Sequence, residues 1–350
     1  MKNAVSYLIL PPAIWPVLDH AIEIGLQFLK ENPNSKLFII SVDNSLRFNP
    51  SFNRFNLITT YFEAKFRLSN LDNLLKSKNF QRIELKKIIS NDKKVLSEVK
   101  DLASKCALNT IQAHYKDTSL VFNGSKRFFI KKAFLDFLDG YKFVLNIIEK
   151  EHNLENIYIY NGRMSLYRGV LTACEDNNIN YFCYEYPFQG RKRYLLTSNS
   201  PIHNLSYRSK RLKYVAHHHP LSRFQKIKIG KEWMIKRNSS RMGFEMNFSN
   251  IQIDKKLPFQ IKKAKENGKK ILLLLNSSEW EWSGFKESQT NIFGSQIAAI
   301  DWVLESFIKN NSEYFLVFRF HPQFAFRDIK FKDKLYKLIE DKKLKNVLVI

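Results

Sequence analysis

Two apolar runs near the C-terminus, Lys270-Ile-Leu-Leu-Leu-Leu275 and Tyr314-Phe-Leu-Val-Phe-Arg319, each stop abruptly in polar side chains. The first runs into Asn276-Ser-Ser-Glu279 and the second into His321-Pro322. Between them, residues 295–310 carry apolar side chains at helical spacing. The order strand, Ser-rich loop, helix, strand, His-Pro loop is a βαβ unit, because parallel strands need a long crossover and usually take a helix for it. That unit commits the chain to the α/β class. In open α/β sheets, ligands bind outside the carboxyl ends of the strands. Ser277, Ser278, Glu279, Arg319 and His321 are therefore expected on one edge. Hydroxyls and a helix N-terminus there suit anionic oxygens, and cationic groups suit phosphate charge.

The same alternation recurs upstream. Val5–Leu10 reads as a strand, Ala13–Glu31 as a helix bearing Asp19 and His20, and Lys36–Val42 as a second strand. Residues 53–105 read as mostly helical, and a long helix is expected over Lys126–Glu151. Then Ile157–Tyr160 reads as a strand, Met164–Asn177 as a helix and Asn180–Glu185 as a strand. The strand-to-helix loop of this second unit is Asn161-Gly162-Arg163. From Tyr194 to Pro258 the periodicity loosens into polar, aromatic and basic residues, read as a connector with short helices. The expected organisation is two Rossmann-like domains facing a cleft. Residues 1–200 form the first, 201–262 the connector, and 263–350 the start of the second. That last stretch is short beside the usual ~150 residues of such a domain, so the sequence reads as the front part of a longer protein.

Composition removes several functional classes. The longest apolar runs fall far short of the ~20 residues of a spanning helix. Cys106, Cys174 and Cys183 show no CxxC spacing, so core packing is their expected role. His217-His218-His219 cannot converge on one ion, and no DxD-type carboxylate pair stands at a strand end, so no metal site is expected. A formal charge of +24 is compatible with a solvated surface, an anionic substrate or an anionic membrane face. Nucleic acid is the least favoured partner, since no zinc finger, RNP-like signature or other such module is visible. The expected location is cytoplasmic, peripheral at the inner face of the cell membrane.

A specific resemblance rests on Tyr160-Asn-Gly-Arg163, Arg168-Gly-Val-Leu-Thr-Ala-Cys-Glu175, Tyr184-Glu185 and Ser200-Pro-Ile-His203. Gln252, Pro258, Ser277-Ser-Glu279, Gln296 and Arg319-Phe-His-Pro322 continue it in the same order. Over residues 155–322 the chain resembles a bacterial capsule and surface-polysaccharide biosynthesis family, whose members resemble glycosyltransferases of the two-domain GT-B fold. The resemblance implies an acceptor domain followed by a nucleotide-sugar domain, with the nucleotide sugar a substrate and no separate cofactor. The implied acceptor is a glycan or lipid-linked sugar. Paired serines and a His-Pro at strand ends are also similar to bacterial sialyltransferases and polyol-phosphate polymerases, which implies a CMP- or CDP-linked donor.

Transfer to a sugar hydroxyl by inversion wants a carboxylate or imidazole as general base. Glu185, at a strand end beside Arg163, is the first candidate, and Asp19 and His20 are the second. Asn161, Gly162, Arg163 and Arg168 are candidate contacts to the acceptor or to phosphate. Ser277, Ser278, Glu279, Arg319 and His321 are candidates for the donor. A CDP-polyol-type phosphotransferase is the enzymatic alternative, and a basic scaffold or RNA-binding protein the non-catalytic one.

Overall fold

The computed structural model describes residues 4–10, 17–42, 80–90, 93–115, 123–185, 195–238, 257–276, 292–293, 295–309, 312–320, 329–344 and 346–350. The chain divides into two compact units. The first contains β1 (Val5–Ile9), α1 (Val17–Glu31), β2 (Lys36–Ser41), β3 (Phe80–Glu84), α2 (Ser97–Tyr115), α3 (Gly124–Lys150), β4 (Leu154–Tyr160), α4 (Ser165–Asp176), β5 (Tyr181–Glu185), β6 (Leu195–Ser198), α5 (Leu205–His218) and α6 (Arg223–Asn238). The second contains α7 (Phe259–Glu266), β7 (Lys270–Leu275), α8 (Gln296–Lys309), β8 (Tyr314–Arg319), α9 (Ile329–Asp341) and β9 (Val347–Val349).

The strands of the first unit form one sheet in the order β3-β2-β1-β4-β5-β6. All neighbours pair in parallel except β6, which runs antiparallel to β5. This is the Rossmann-like order, with its topological switch between β1 and β4. Both faces of the sheet are covered, which is why every residue of β1 is buried, Ser6 included, rather than alternate ones. Val5, Tyr7 and Ile9 join a core built with α2, α3 and α4, whereas Leu8 and Leu10 join a second core with Ala21, Ile24 and Phe28 of α1.

Two elements depart from the expected pattern. Residues 53–105 were expected to be mostly helical, yet β3 lies within them and pairs with β2 from Leu37↔Phe80 to Ser41↔Glu84. Its sequence, Phe-Gln-Arg-Ile-Glu, holds only two apolar residues because an edge strand is only partly covered. Arg82 supports it by donating from Nη1 to Ser41 Oγ at 3.3 Å. The second departure is β6, a short edge strand in the stretch read as a connector. The helices after it are 14 and 16 residues long.

Helices α3 and α4 cross through two glycines. A methyl group at Gly140 would collide with the Leu166 carbonyl oxygen, and one at Gly169 with the Phe137 carbonyl oxygen. The contact is backbone against backbone. The N-terminus of α4 has no side-chain cap of its own at Met164. Thr110 of α2 fills that role, accepting from Ser165 N at 3.2 Å and lying 2.9 Å from Ser165 Oγ.

In the second unit β7, β8 and β9 form a parallel sheet in that order, with Lys270↔Tyr314 and Leu316↔Val347 in register. The βαβ unit expected from the two apolar runs is therefore present as β7-α8-β8. Central β8 sends Phe315 and Val317 toward Ile261 and Ala264 of α7, and Leu316 and Phe318 toward α8 and Leu335 of α9. Edge strand β7 leaves Leu272, Leu273 and Leu275 exposed. Among the described residues no helix is long and apolar enough to cross a membrane.

Candidate functional site

The carboxyl ends of β4 and β5 bring a group of polar side chains together in the first unit. The ladder runs one residue past β4, with Asn161 N donating to Tyr184 O at 2.8 Å. The backbone then turns sharply through two left-handed residues, Asn161 (φ 57) and Gly162 (φ 73). Asn tolerates that region better than most residues, and Gly occupies it freely. A side chain at Gly162 would also press on Leu171 Cδ1 at 2.8 Å and Cys183 Sγ at 3.2 Å. The turn leads into α4 through Arg163 and Met164. Two tyrosines fasten the neighbouring end of β1: Tyr184 Oη donates to Ile9 O at 2.6 Å and Tyr167 Oη to Leu10 O at 3.0 Å.

Asn161 Nδ2 donates to Glu185 Oε1 at 2.6 Å, and the other carboxylate oxygen, Oε2, lies 3.4 Å from His203 Nε2. The Glu185 side chain keeps only 18% of its surface exposed. Desolvation dominates its titration and pushes it up to about 7, against the opposing hydrogen bond from Asn161 and the charges of Arg163 and Arg208. Desolvation also lowers His203, to about 4, and the same two arginines lower it further. Near neutral pH the pair is thus a neutral imidazole beside a carboxyl group that is about half ionised. Tyr160, the last residue of β4, is raised by burial and then by the Glu185 charge.

The site therefore brings together Asn161, Gly162, Arg163 and Glu185 from the expected set, and adds His203 and Arg208. Arg168 is elsewhere. It is buried in α4, where its charge acts on Cys106, Cys183 and Tyr181, lowering each against the larger effect of burial. Asp19 and His20 stand in the first turn of α1, with side chains outside the described residues. In the second unit, Arg319 ends β8 in an exposed position. Ser277, Ser278, Glu279 and His321 lie outside the described residues. His203 belongs to the Ser200-Pro-Ile-His203 segment that carried the family resemblance, but nothing in the sequence ties it to Glu185. Arg208 offers no signal beyond its charge. Among the described residues, no three His, Cys, Asp or Glu side chains gather into a metal-binding group.

Comparison with known proteins adds little. No family model and no curated protein matches the chain. Among solved structures it is similar to Leishmania major tyrosyl-tRNA synthetase in complex with tyrosinol, in a cubic crystal form (TM-score 0.29, 10% identity) and a triclinic one (TM-score 0.31, 9% identity). Those alignments cover 51% and 62% of this chain but only 31% and 34% of the synthetase chains. The chain thus spans about a third of their length. A likeness that slight carries no argument about function.

Proposed function

We propose that the chain is a metal-independent glycosyltransferase of GT-B-like build, acting in capsule or surface-polysaccharide assembly with Glu185 as its general base. The observation that carries the reading is the Glu185 carboxylate held by the Asn161 amide beside His203 at the carboxyl edge of a Rossmann-like sheet, where burial pushes it up to about 7. A base of that strength takes a hydroxyl proton efficiently at working pH. In the proposed step, ionised Glu185 removes the proton from an acceptor hydroxyl as its oxygen bonds to the anomeric carbon of the donor. The bond from that carbon to the nucleotide phosphate breaks, and the nucleotide leaves with the electron pair. Arg163 and Arg208 supply positive charge in the same neighbourhood, the kind of fixed electrostatic support that developing negative charge requires. Neutral His203, with Nε2 3.4 Å from Glu185 Oε2, offers a hydrogen-bonding nitrogen to an acceptor. The resemblance at Tyr160–Arg163, Tyr184-Glu185 and Ser200–His203 supports an acceptor site in the first unit. In this reading the second unit binds the donor through Ser277, Ser278, Glu279, Arg319 and His321.

The test combines CMP-, CDP- and UDP-linked sugars with glycan and lipid-linked acceptors, and follows product by mass spectrometry. The expected result is a glycosylated acceptor with free nucleotide, at a rate that rises with pH through about 7 as Glu185 ionises. Glu185→Gln should reduce transfer by roughly 10²- to 10⁴-fold while nucleotide affinity by calorimetry stays unchanged. An acceptor that gains phosphate together with the polyol, releasing CMP, would establish the phosphotransferase instead. Wild-type transfer by Glu185→Gln would remove the general-base assignment.

A further inference from the structure

Helices α5 and α6 follow one another in sequence and are exposed at every position whose burial is described except half-buried Tyr207 and Lys226. None of the residues of α5 is buried, and none of α6 from Arg223 to Ile235 is. Yet these helices are not uniformly polar. On α5, Leu205, Leu212 and Val215 are exposed, and on α6, Phe224, Ile227, Met234 and Ile235, with Leu212 at 69%, Phe224 at 76% and Ile235 at 67%. The α5 set is spaced seven and then three residues apart. The α6 set is spaced three, seven and one. Each spacing gathers these residues on one side of its helix, while Ile229 and Trp233 stand exposed on the opposite side of α6. Around these stripes the two helices carry ten lysines and arginines against the single acid Glu232.

Charge of one sign selects an anionic partner, and the apolar stripes narrow the choice. Nucleic acid rewards lysine, arginine and stacked aromatic rings. It offers nothing against which Leu212, Val215, Ile227, Met234 and Ile235 could be buried. A phospholipid leaflet satisfies both demands, since headgroups meet the basic side chains and acyl chains receive the apolar ones. We propose that α5 and α6 form a docking surface for an anionic phospholipid membrane, with Leu212, Phe224 and Ile235 entering the leaflet and the flanking lysines and arginines resting on its headgroups. The surface stands on exposure and charge alone and does not depend on the transferase reading.

The experiment is sedimentation of the full chain with phosphatidylcholine vesicles and with vesicles that also contain phosphatidylglycerol. Binding is expected only to the latter and should weaken as salt screens the charges. Phe224→Ser with Ile235→Ser should lower vesicle affinity on the order of tenfold or more. These are exposed positions, and circular dichroism checks that both variants fold. Reversal of Lys210, Lys213 and Lys228 to glutamate should abolish binding, whereas the same change at exposed Lys334 and Lys337 of α9 should leave it nearly unchanged. Equal binding to neutral vesicles, or full affinity in the Ser variant, would overturn the proposal. Capture of single-stranded RNA without vesicle binding, or a dimer by light scattering that the Ser variant dissolves, would overturn it too and assign the surface to that partner.

Discussion

Burial raises the Glu185 carboxyl to about 7 from an ordinary value of 4.5, and this has a consequence for stability that can be separated from activity. Between those values the folded chain binds more protons than the unfolded one. Stability from this residue is therefore present at low pH and is lost as pH rises through about 7. The ceiling on that loss is about 3 kcal/mol, reduced because the carboxylate is not fully buried. His203 acts in the opposite sense: its folded value near 4 lies below the ordinary 6.5, so its contribution grows as pH rises through that interval. The two offset one another in the wild type. Glu185→Gln uncovers the acid's part, because glutamine keeps an oxygen for the Asn161 amide but never ionises. In urea titrations the stability of Glu185→Gln relative to wild type should increase with pH from about 4.5 to 7 and then level off. A difference that stays constant over that range would show that Glu185 ionises at its ordinary pH in the folded chain.

At the scale of elements, the first unit depends on how closely α3 and α4 approach, because α4 carries the Asn161–Arg163 turn at its start. Gly169→Ala drives a methyl group into the Phe137 carbonyl oxygen, and backbone cannot rotate away as a side chain can. The expected cost is about 3 kcal/mol, the upper part of the range for overpacking. Gly230→Ala in α6 is the matched control. Nothing lies within 4 Å of its new methyl group, so replacing a helical glycine there should stabilise by about 0.5–1 kcal/mol. Chemical denaturation of the two variants checks both signs, and a neutral Gly169→Ala would mean that the helices are not in backbone contact. Elements were legible in the sequence where a strand's covered part is a mostly apolar run, as at Tyr7–Ile9 of β1, Ile157–Tyr160 of β4, Tyr181–Tyr184 of β5 and Phe315–Phe318 of β8. Edge strands β3 and β6 were not. Half of each faces solvent or chain ends, and Phe80-Gln-Arg-Ile-Glu has no more apolar signal than a loop. Glycines 140 and 169 carried no signal either, since only the crossing of two helices gives them a role.

At the scale of the whole molecule, the site shows the same division between local and distant information. Asn161 and Glu185 could be placed by reading strand ends, which local apolar patterning marks. His203 and Arg208 reach Glu185 only because the chain, after β6 has run back from Glu185 toward Tyr181, turns again at left-handed Asn199 (φ 45), a return that no local pattern encodes. Arg168 illustrates the converse: a candidate contact to the acceptor or phosphate is instead buried in α4, where its charge acts on Cys106 and Cys183. The charge of +24 likewise gains a location only in the fold, with a dense share on the exposed pair α5–α6. What ties the account together is one ionisation, that of Glu185 in its folded surroundings. Carbon-13 NMR of selectively labelled glutamate side chains, with Glu185→Gln identifying the resonance, measures it directly. The expected midpoint is about 7, rising further in Asn161→Ala, where the hydrogen bond that favours the carboxylate is lost. A midpoint near the ordinary 4.5, unmoved by Asn161→Ala, would contradict the account.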